Sequence, residues 1–194
     1  FAEMFLEVGF DAQPAPSAQR FETALKELSA SMGARLHRGA SINASGPLFE
    51  QWIARSRSDL ALLTTELPTG PYPYAGIPWF ATQFGRDAII TAFEMLWLNP
   101  DVARGVLTFL AQTQATAVDD ARDATPGKIL HETRAGEMAA LGEVPFGCYY
   151  GSWDVTPLFV MLAQAYYRRT GDVGFIDHIW PNLVRALEWM RQSG

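Results

Sequence analysis

Gly76–Leu98, GIPWFATQFGRDAIITAFEMLWL, decides how the rest of the chain reads. It opens as a loop with two aromatics, Trp79 and Phe80, and turns helical at the charged pair Arg86–Asp87. The helix that follows is apolar on nearly every face: Ala88, Ile89, Ile90, Ala92, Phe93, Met95, Leu96, Trp97 and Leu98. A helix hydrophobic all round belongs inside a large core rather than on a surface. Asp87 is placed to cap its start, where a carboxylate meets free backbone N–H groups and the favourable end of the helix dipole. A charged, aromatic-rimmed loop therefore leads into a buried helix.

The flanking helices differ in kind. Before the loop, a helix over about Leu48–Leu67 is one-sided, with Phe49, Trp52, Ile53, Leu60 and Leu63 set against Arg55, Arg57 and Asp59; Pro68 ends it. After Asn99–Pro100, Asp101 caps a third helix with Val102, Val106, Leu107, Phe109 and Leu110 inward and Arg104 outward. Thr116–Trp153 reads as a long connection rich in Gly, Pro and charge. A fourth helix, Asp154–Thr170, is again apolar nearly all round, and Pro157 is tolerated in its first turn. Beyond Gly171–Asp172 a fifth helix, Phe175–Arg191, carries Ile176, Ile179, Leu183, Leu187 and Met190 on one face.

Burial thus alternates one-sided, buried, one-sided, buried, one-sided. The connections leaving the buried helices are short and those entering them are long. Long loops in compact domains tend to be functional. An inner ring of helices wrapped by an outer ring, an α/α toroid, gives this alternation and gathers the long loops at one end. The competing architecture is an ordinary helical bundle. No repeat strong enough to count as a solenoid is present.

Upstream, Phe1–Phe10 reads as a short strand. Pro14 and Pro16 mark a linker, and a weak helix over Ser17–Met32 carries Phe21, Leu25, Leu28 and Met32 until Gly33 stops it. Gly39–Pro47 reads as loop. The expected organisation is a β remnant over 1–10, a linker with a peripheral helix over 11–46, and helical hairpins over 47–194.

Bulk composition narrows the function classes. The chain is 48% hydrophobic and 19% charged over 194 residues, a foldable composition. A net charge of −6 with no long basic run argues against nucleic acid as a partner. Cys148 is the only cysteine, so no internal disulfide forms and a cytoplasmic setting is compatible. There is no apolar run long enough for a membrane span and no signal-peptide pattern. The start at Phe1 rather than Met hints at a piece of something longer.

Two clusters carry chemistry. In the first, Trp79 and Phe80 offer apolar faces for a sugar ring, Arg86 a donor fork and Asp87 acceptors for hydroxyls. Equally, Asp87 is only a cap, Arg86 its ion-pair partner and the aromatics core. The second runs from Pro126 to Met138, PGKILHETRAGEM, and on through Phe146–Asp154, FGCYYGSWD. It crowds Lys128, His131, Glu132, Arg134 and Glu137 beside Tyr149 and Tyr150, in a loop rather than on a helix face. A salt-bridge network stapling the loop is the plain alternative for Glu132, Arg134 and Glu137. A partly buried, hydrogen-bonded ring is the better reading of His131. The three histidines, His37, His131 and His178, are far apart in sequence, so no metal site is expected. Asp154 opens a buried helix as Asp87 does. No phosphate-cradling loop or G-x-S-x-G elbow appears, and Cys148 among aromatics reads as a small packed residue.

The runs Ala75–Asp87, Pro126–Glu137 and Tyr149–Val160, with Arg168–Asp172 and Trp180–Pro181, resemble the bacterial and archaeal glycogen-debranching, amylo-α-1,6-glucosidase-type family. The resemblance runs from about Phe49 to the end, and FAEMFLEVGF resembles the last strand of the β-rich domain preceding the barrel in that family. It implies the amino-terminal part of an all-α, (α/α)6 six-hairpin toroid acting on α-glucosidic bonds by inversion, without a cofactor. It places an Arg-Asp pair that holds the non-reducing glucose on Arg86 and Asp87. Inversion needs two carboxyl groups about 6.5–9.5 Å apart; by the resemblance both the general acid and the general base are expected beyond Gly194. Asp11–Pro47 departs from the family pattern.

The residues expected to line a glucose pocket are Trp79, Phe80, Arg86, Asp87, Glu132, Arg134, Glu137, Tyr149, Tyr150 and Asp154. The expected partners are an α-glucan or small glucoside and the remainder of the barrel, on the same or a separate chain. Alternatives are a trehalose-like or glycosylglycerate-type glycosidase on the same barrel, and a non-catalytic carbohydrate-binding subunit.

Overall fold

A computed structural model describes residues 4–6, 15–144 and 147–193. The chain divides into two compact units, Phe1–Arg38 and Gly39–Gly194. The described part is mostly helical, with one two-stranded sheet.

In the first unit, α1 spans Ala18–Leu36. Ser17 caps it as an extended residue whose hydroxyl accepts the Arg20 N–H at 3.3 Å. Gly33 does not stop the helix. A glycine costs only about 1 kcal/mol within a helix, and the end comes at His37, whose Nδ1–H donates to the Gly33 carbonyl at 2.7 Å. Of the strand expected over Phe1–Phe10, residues 4–6 have no regular structure and the others lie outside the described residues.

The second unit begins with α2, Pro47–Leu63, with Pro47 at its first position. The helix stops four residues short of the expected Leu67. Thr64–Leu67 instead forms β1, paired antiparallel with β2, Gly70–Pro73, across the turn Pro68–Thr69. Two β-branched threonines start the strand, and a turn with proline at its first corner closes it.

α3 covers Gly85–Met95 and α4 Pro100–Gln112. Asp87 does not cap α3. The helix begins after Phe84, an extended residue bridged to Glu132, so Asp87 falls at the third helical position. Nor does Asp101 cap α4; Asn99 accepts its N–H at 3.2 Å. α4, expected to be one-sided, is the more deeply embedded of the two. It buries Val102, Ala103, Gly105, Val106, Leu107 and Leu110, against Gly85, Ala88, Ile89 and Ala92 in α3. Gly105 makes this possible, because a Cβ there would collide with the backbone of Pro71 in β2. α3 is buried on one side only; Ile90 is exposed, as is Trp97 just past its end.

The long connection holds a 3-10 turn at Asp120–Arg122 and a short α5, Glu137–Ala140. Then come α6, Val155–Thr170, and α7, Val173–Ser193. α6 also keeps an exposed side, at Met161 and Tyr167. The buried stripe of α7 is Phe175, Ile179, Leu183, Ala186 and Trp189. Of the expected stripe, Ile179 and Leu183 are buried, Ile176 and Met190 half-buried, and Leu187 exposed. The face is rotated because Phe175 stacks edge-on against Tyr166 and the Trp189 N–H donates to Thr125 Oγ1 at 2.7 Å.

Helical hairpins α3–α4 and α6–α7 pack side by side in the same direction. Arg86 and Asp154 join the starts of α3 and α6 at 3.2 Å, and the Arg169 Nε–H reaches the Leu96 carbonyl at their ends, also at 3.2 Å. Arg104 meets Asp172 at 2.9 Å, tying α4 to the turn before α7. Gln114, past the end of α4, donates to the Asn182 carbonyl at 3.0 Å. Each of Arg86–Asp154, Arg104–Asp172 and Gln114–Asn182 spans 68 residues. With Arg169–Leu96 at 73 and Asn182–Ala111 at 71, the second hairpin follows the placement of the first at an offset of 68 to 73 residues. Tyr72, Ile89, Leu107, Leu110, Ile129, Leu130, Phe159, Leu162 and Ile179 form the fully buried core between them, each worth about 1.5–3 kcal/mol relative to exposure.

Candidate functional site

Three loop segments are knitted together where α3 and α6 begin. The Gly85 N–H donates to the His131 carbonyl at 2.8 Å, and Phe84 bridges Glu132. Glu132 in turn bridges Tyr149, whose N–H donates to the Glu132 carbonyl at 2.9 Å. Thr82 Oγ1 donates to the Thr133 carbonyl at 2.5 Å, and the Thr133 N–H to that of Gln83 at 3.1 Å. The two sequence clusters thus meet at one end of the hairpins. Backbone pairing of this kind fixes loops against one another at little side-chain cost.

Arg134 fastens the arrangement. Its Nε and Nη2 both lie 3.0 Å from Glu132 Oε2, and Nη1 donates to the Trp79 carbonyl at 2.8 Å. Its guanidinium also sits 5.4 Å from the centroid of Phe84. Glu132 is buried, so the paired charge rather than water stabilises its carboxylate. The stapling alternative therefore holds for Glu132 and Arg134. Glu137 is exposed at the first position of α5 and makes no ion pair among the described residues.

Arg86 pairs with Asp154 and not with Asp87. Asp154 takes a second bond from Ser152 Oγ. Burial pulls its pKa up, but the Ser152 hydroxyl and then Arg86 outweigh it and hold the carboxyl below its ordinary value. Asp154 occupies the N-cap position of α6 without a side-chain capping bond, so it does not repeat the placement of Asp87. The Asp87 carboxylate accepts no hydrogen bond and makes no ion pair among the described residues; only its backbone carbonyl is used, by Thr91 Oγ1 at 2.9 Å. Below it, burial above all, then the negative charge of Asp87, pushes the Tyr72 phenol far above its ordinary value. The Tyr72 O–H donates to the Phe84 carbonyl at 2.9 Å.

Trp79 and Phe80 are exposed, Trp79 at 78%, and Phe80 meets Phe84 edge-on at 5.8 Å. Tyr149 stands beside His131, ring centroids 6.2 Å apart. Tyr150 turns away: it is buried and its O–H donates to the Thr113 carbonyl at 2.7 Å, at the end of α4. Its burial pushes the phenol pKa up. At the starts of α3 and α6 the structure joins Arg86 to Asp154, Arg134 to Glu132 and the Trp79 carbonyl, Phe80 to Phe84, and the backbone of Glu132 to that of Tyr149; Asp87 adjoins Arg86 in sequence, and Tyr150 and Glu137 fall outside these contacts. His131 is partly buried, between Phe84 and Tyr149, and its Nδ1 is buried without a partner among the described residues. Cys148 packs against the core.

Lys128 and Trp153 acquire a geometry that the sequence did not signal. Lys128 is buried, with Nζ 2.9 Å from the Asp123 carbonyl and 3.1 Å from its carboxylate. It lies 5.9 Å from the ring centroids of both Trp153 and Trp189. Among the described residues no three His, Cys, Asp or Glu side chains gather as a metal would require, and no helix is long and apolar enough to cross a membrane. No family model matches the chain, and no curated protein does.

Proposed function

We propose that the chain is the amino-terminal part of the catalytic barrel of an inverting glycoside hydrolase of the glycogen-debranching type, supplying the wall that holds a glucosyl unit. The observation that carries this reading is the uncommitted carboxylate of Asp87, next in the chain to the Arg86 that pairs with Asp154, at the start of the helix entered by the loop that exposes Trp79 and Phe80. A pyranose presents an apolar C–H face and a rim of hydroxyls. An open indole, a free acceptor and a fixed guanidinium answer those features with stacking and charge-assisted bonds.

The parallel hairpins support the barrel. Repeating the α3–α4 placement at α6–α7 continues one ring of helices inside another, an (α/α)6 toroid when six hairpins close. The exposed side of α6 is then the edge on which the remainder of the barrel packs. The acid and base that complete inversion stand outside these 194 residues on this reading, so the chain binds but does not hydrolyse.

Calorimetric titration of the chain with maltose and maltohexaose tests the reading. Saturable binding that is lost in Asp87→Ala is expected. Absence of binding to either saccharide, or an Asp87→Ala variant that binds like the parent, overturns it.

A further inference from the structure

Trp153 is 66% exposed, yet it is not a loose side chain. One flank of its indole rests on Trp189, centroids 5.5 Å apart and tilted by 49°, and Trp189 is itself buried and anchored through Thr125. The buried Lys128 ammonium stands beside both rings. Asp123, which holds that ammonium, is more than half exposed. It is the one non-glycine with positive φ among the described residues, at 52°. Such a backbone persists where the surroundings over-determine it, often at sites that bind. Here the 3-10 turn does so: the Asp119 carboxylate caps the Ala121 and Arg122 N–H groups, and Asp119 and Ala124 exchange backbone bonds of 3.0 and 2.9 Å.

We propose that Trp153 and Asp123, braced by Lys128 and Trp189, form an accessory saccharide subsite on the α7 side of the start of α6. The ligand chemistry follows from what is left free. The lysine charge is buried and already cancelled by Asp123, so nothing is offered to a phosphate or sulfate. The exposed surface is a flat apolar ring beside a rigid carboxylate, the complement of a pyranose with one face of C–H groups and hydroxyls at its edge. Because the shelf is set before the ligand arrives, little side-chain entropy is lost on binding. Asp154 is the next residue along and turns to Arg86, toward α3, while Trp153 turns to Trp189, toward α7. A glucan chain crossing the start of α6 meets both, so the subsite confers a preference for longer chains. For its choice of ligand this inference rests on the glycosidase reading.

The test compares maltose with maltohexaose on the parent chain, Trp153→Ala and Trp153→Phe, by calorimetry and by the near-ultraviolet indole difference spectrum. Trp153→Ala should weaken maltohexaose binding about tenfold and leave maltose within about twofold. Trp153→Phe, which keeps a stacking face, should retain most of the affinity while losing the Trp153 part of the indole signal and keeping that of Trp79. Equal affinities in parent and Trp153→Ala, an equal loss for both saccharides, or a maltohexaose-induced indole spectrum that is the same in parent and Trp153→Phe overturns the subsite while leaving the glycosidase reading intact. A parent chain that binds neither saccharide overturns both.

Discussion

The guanidinium of Arg86 lies 3.2 Å from the carboxylate of Asp154, joining the first turn of α3 to the start of α6 across 68 residues. Both side chains are nearly half exposed, so the pair fixes position more than it stabilises. Exposed ion pairs contribute at most about 1 kcal/mol.

Its pH signature has a definite sign. Asp154 titrates below its ordinary value in the folded chain, so the folded state binds its proton less readily than the unfolded one. The contribution is therefore present above the unfolded carboxylate pKa and is lost as pH falls through the lower, folded value. Asp154→Asn should melt slightly below the parent at pH 7, with the gap closing on acidification below the ordinary Asp range. Thermal melts followed by circular dichroism across that range check it; a gap that widens toward acid contradicts the assignment.

Gly85 is the tightest point of the site. A Cβ there would collide with the Leu130 carbonyl oxygen and with Cγ1 of Val155. Neither obstacle yields easily, since one is backbone and the other a stiff β-branched side chain in the core. Gly85→Ala should cost about 1–3 kcal/mol through overpacking and should weaken saccharide binding as the loops separate. Urea unfolding should show a lower midpoint at unchanged slope. Gly136→Ala, with open space around it, is the matched control and should leave both readouts unchanged.

Much of the helical frame was legible in the sequence. Asn99–Pro100 and Gly171–Asp172 stand at the hairpin turns, and the two long connections do converge. What the letters could not carry was which groups partner which. Asp87 and Asp101 have the chemistry of caps, but the caps fall to Phe84 and Asn99 because tertiary bonds of the preceding loops set where each helix begins. Apolar content likewise misjudged burial. α3 and α6 are apolar on nearly every side yet exposed on one, whereas α4 sinks deepest because Gly105 lets β2 approach. The offset between the hairpins is written in pair contacts between unlike residues, Arg with Asp and Gln with Asn, which no self-comparison of the sequence reveals. Trp153 gave no signal because its support comes from Trp189, 36 positions later by their numbering.

Tyr72 offers a spectroscopic check on the base of the site. It is fully buried, and its pKa is raised by burial first and by Asp87 second. In the folded chain this phenol should stay protonated through the range where ordinary tyrosines ionise, so alkaline absorbance titration should show a delayed fraction, to which the raised Tyr150 and Tyr166 phenols add, until the chain unfolds. Tyr72→Phe takes one tyrosinate out of that delayed fraction and leaves the Phe84 carbonyl without its side-chain donor, at a cost of about 1 kcal/mol. A titration in which every tyrosine ionises together before unfolding contradicts the burial.

The Lys128–Asp123 pair should respond asymmetrically to truncation. Lys128 is buried and Asp123 is more than half exposed. Lys128→Met removes the buried charge and leaves a carboxylate that water can solvate. The loss is then limited to the contacts with the two indoles and one hydrogen bond, about 1 kcal/mol. Asp123→Ala strands the ammonium between Trp153 and Trp189 with only the backbone carbonyl at position 123 to hold it, and also puts a Cβ-bearing residue without a stabilising side chain at positive φ. Removing one partner from a buried charge costs more than removing the charge itself, so Asp123→Ala should lose about 2 kcal/mol or more. The order of the two denaturation midpoints, Lys128→Met above Asp123→Ala, is the measurement. The reverse order would mean that the ammonium is solvated, and the shelf beneath Trp153 would lose its rigidity with it.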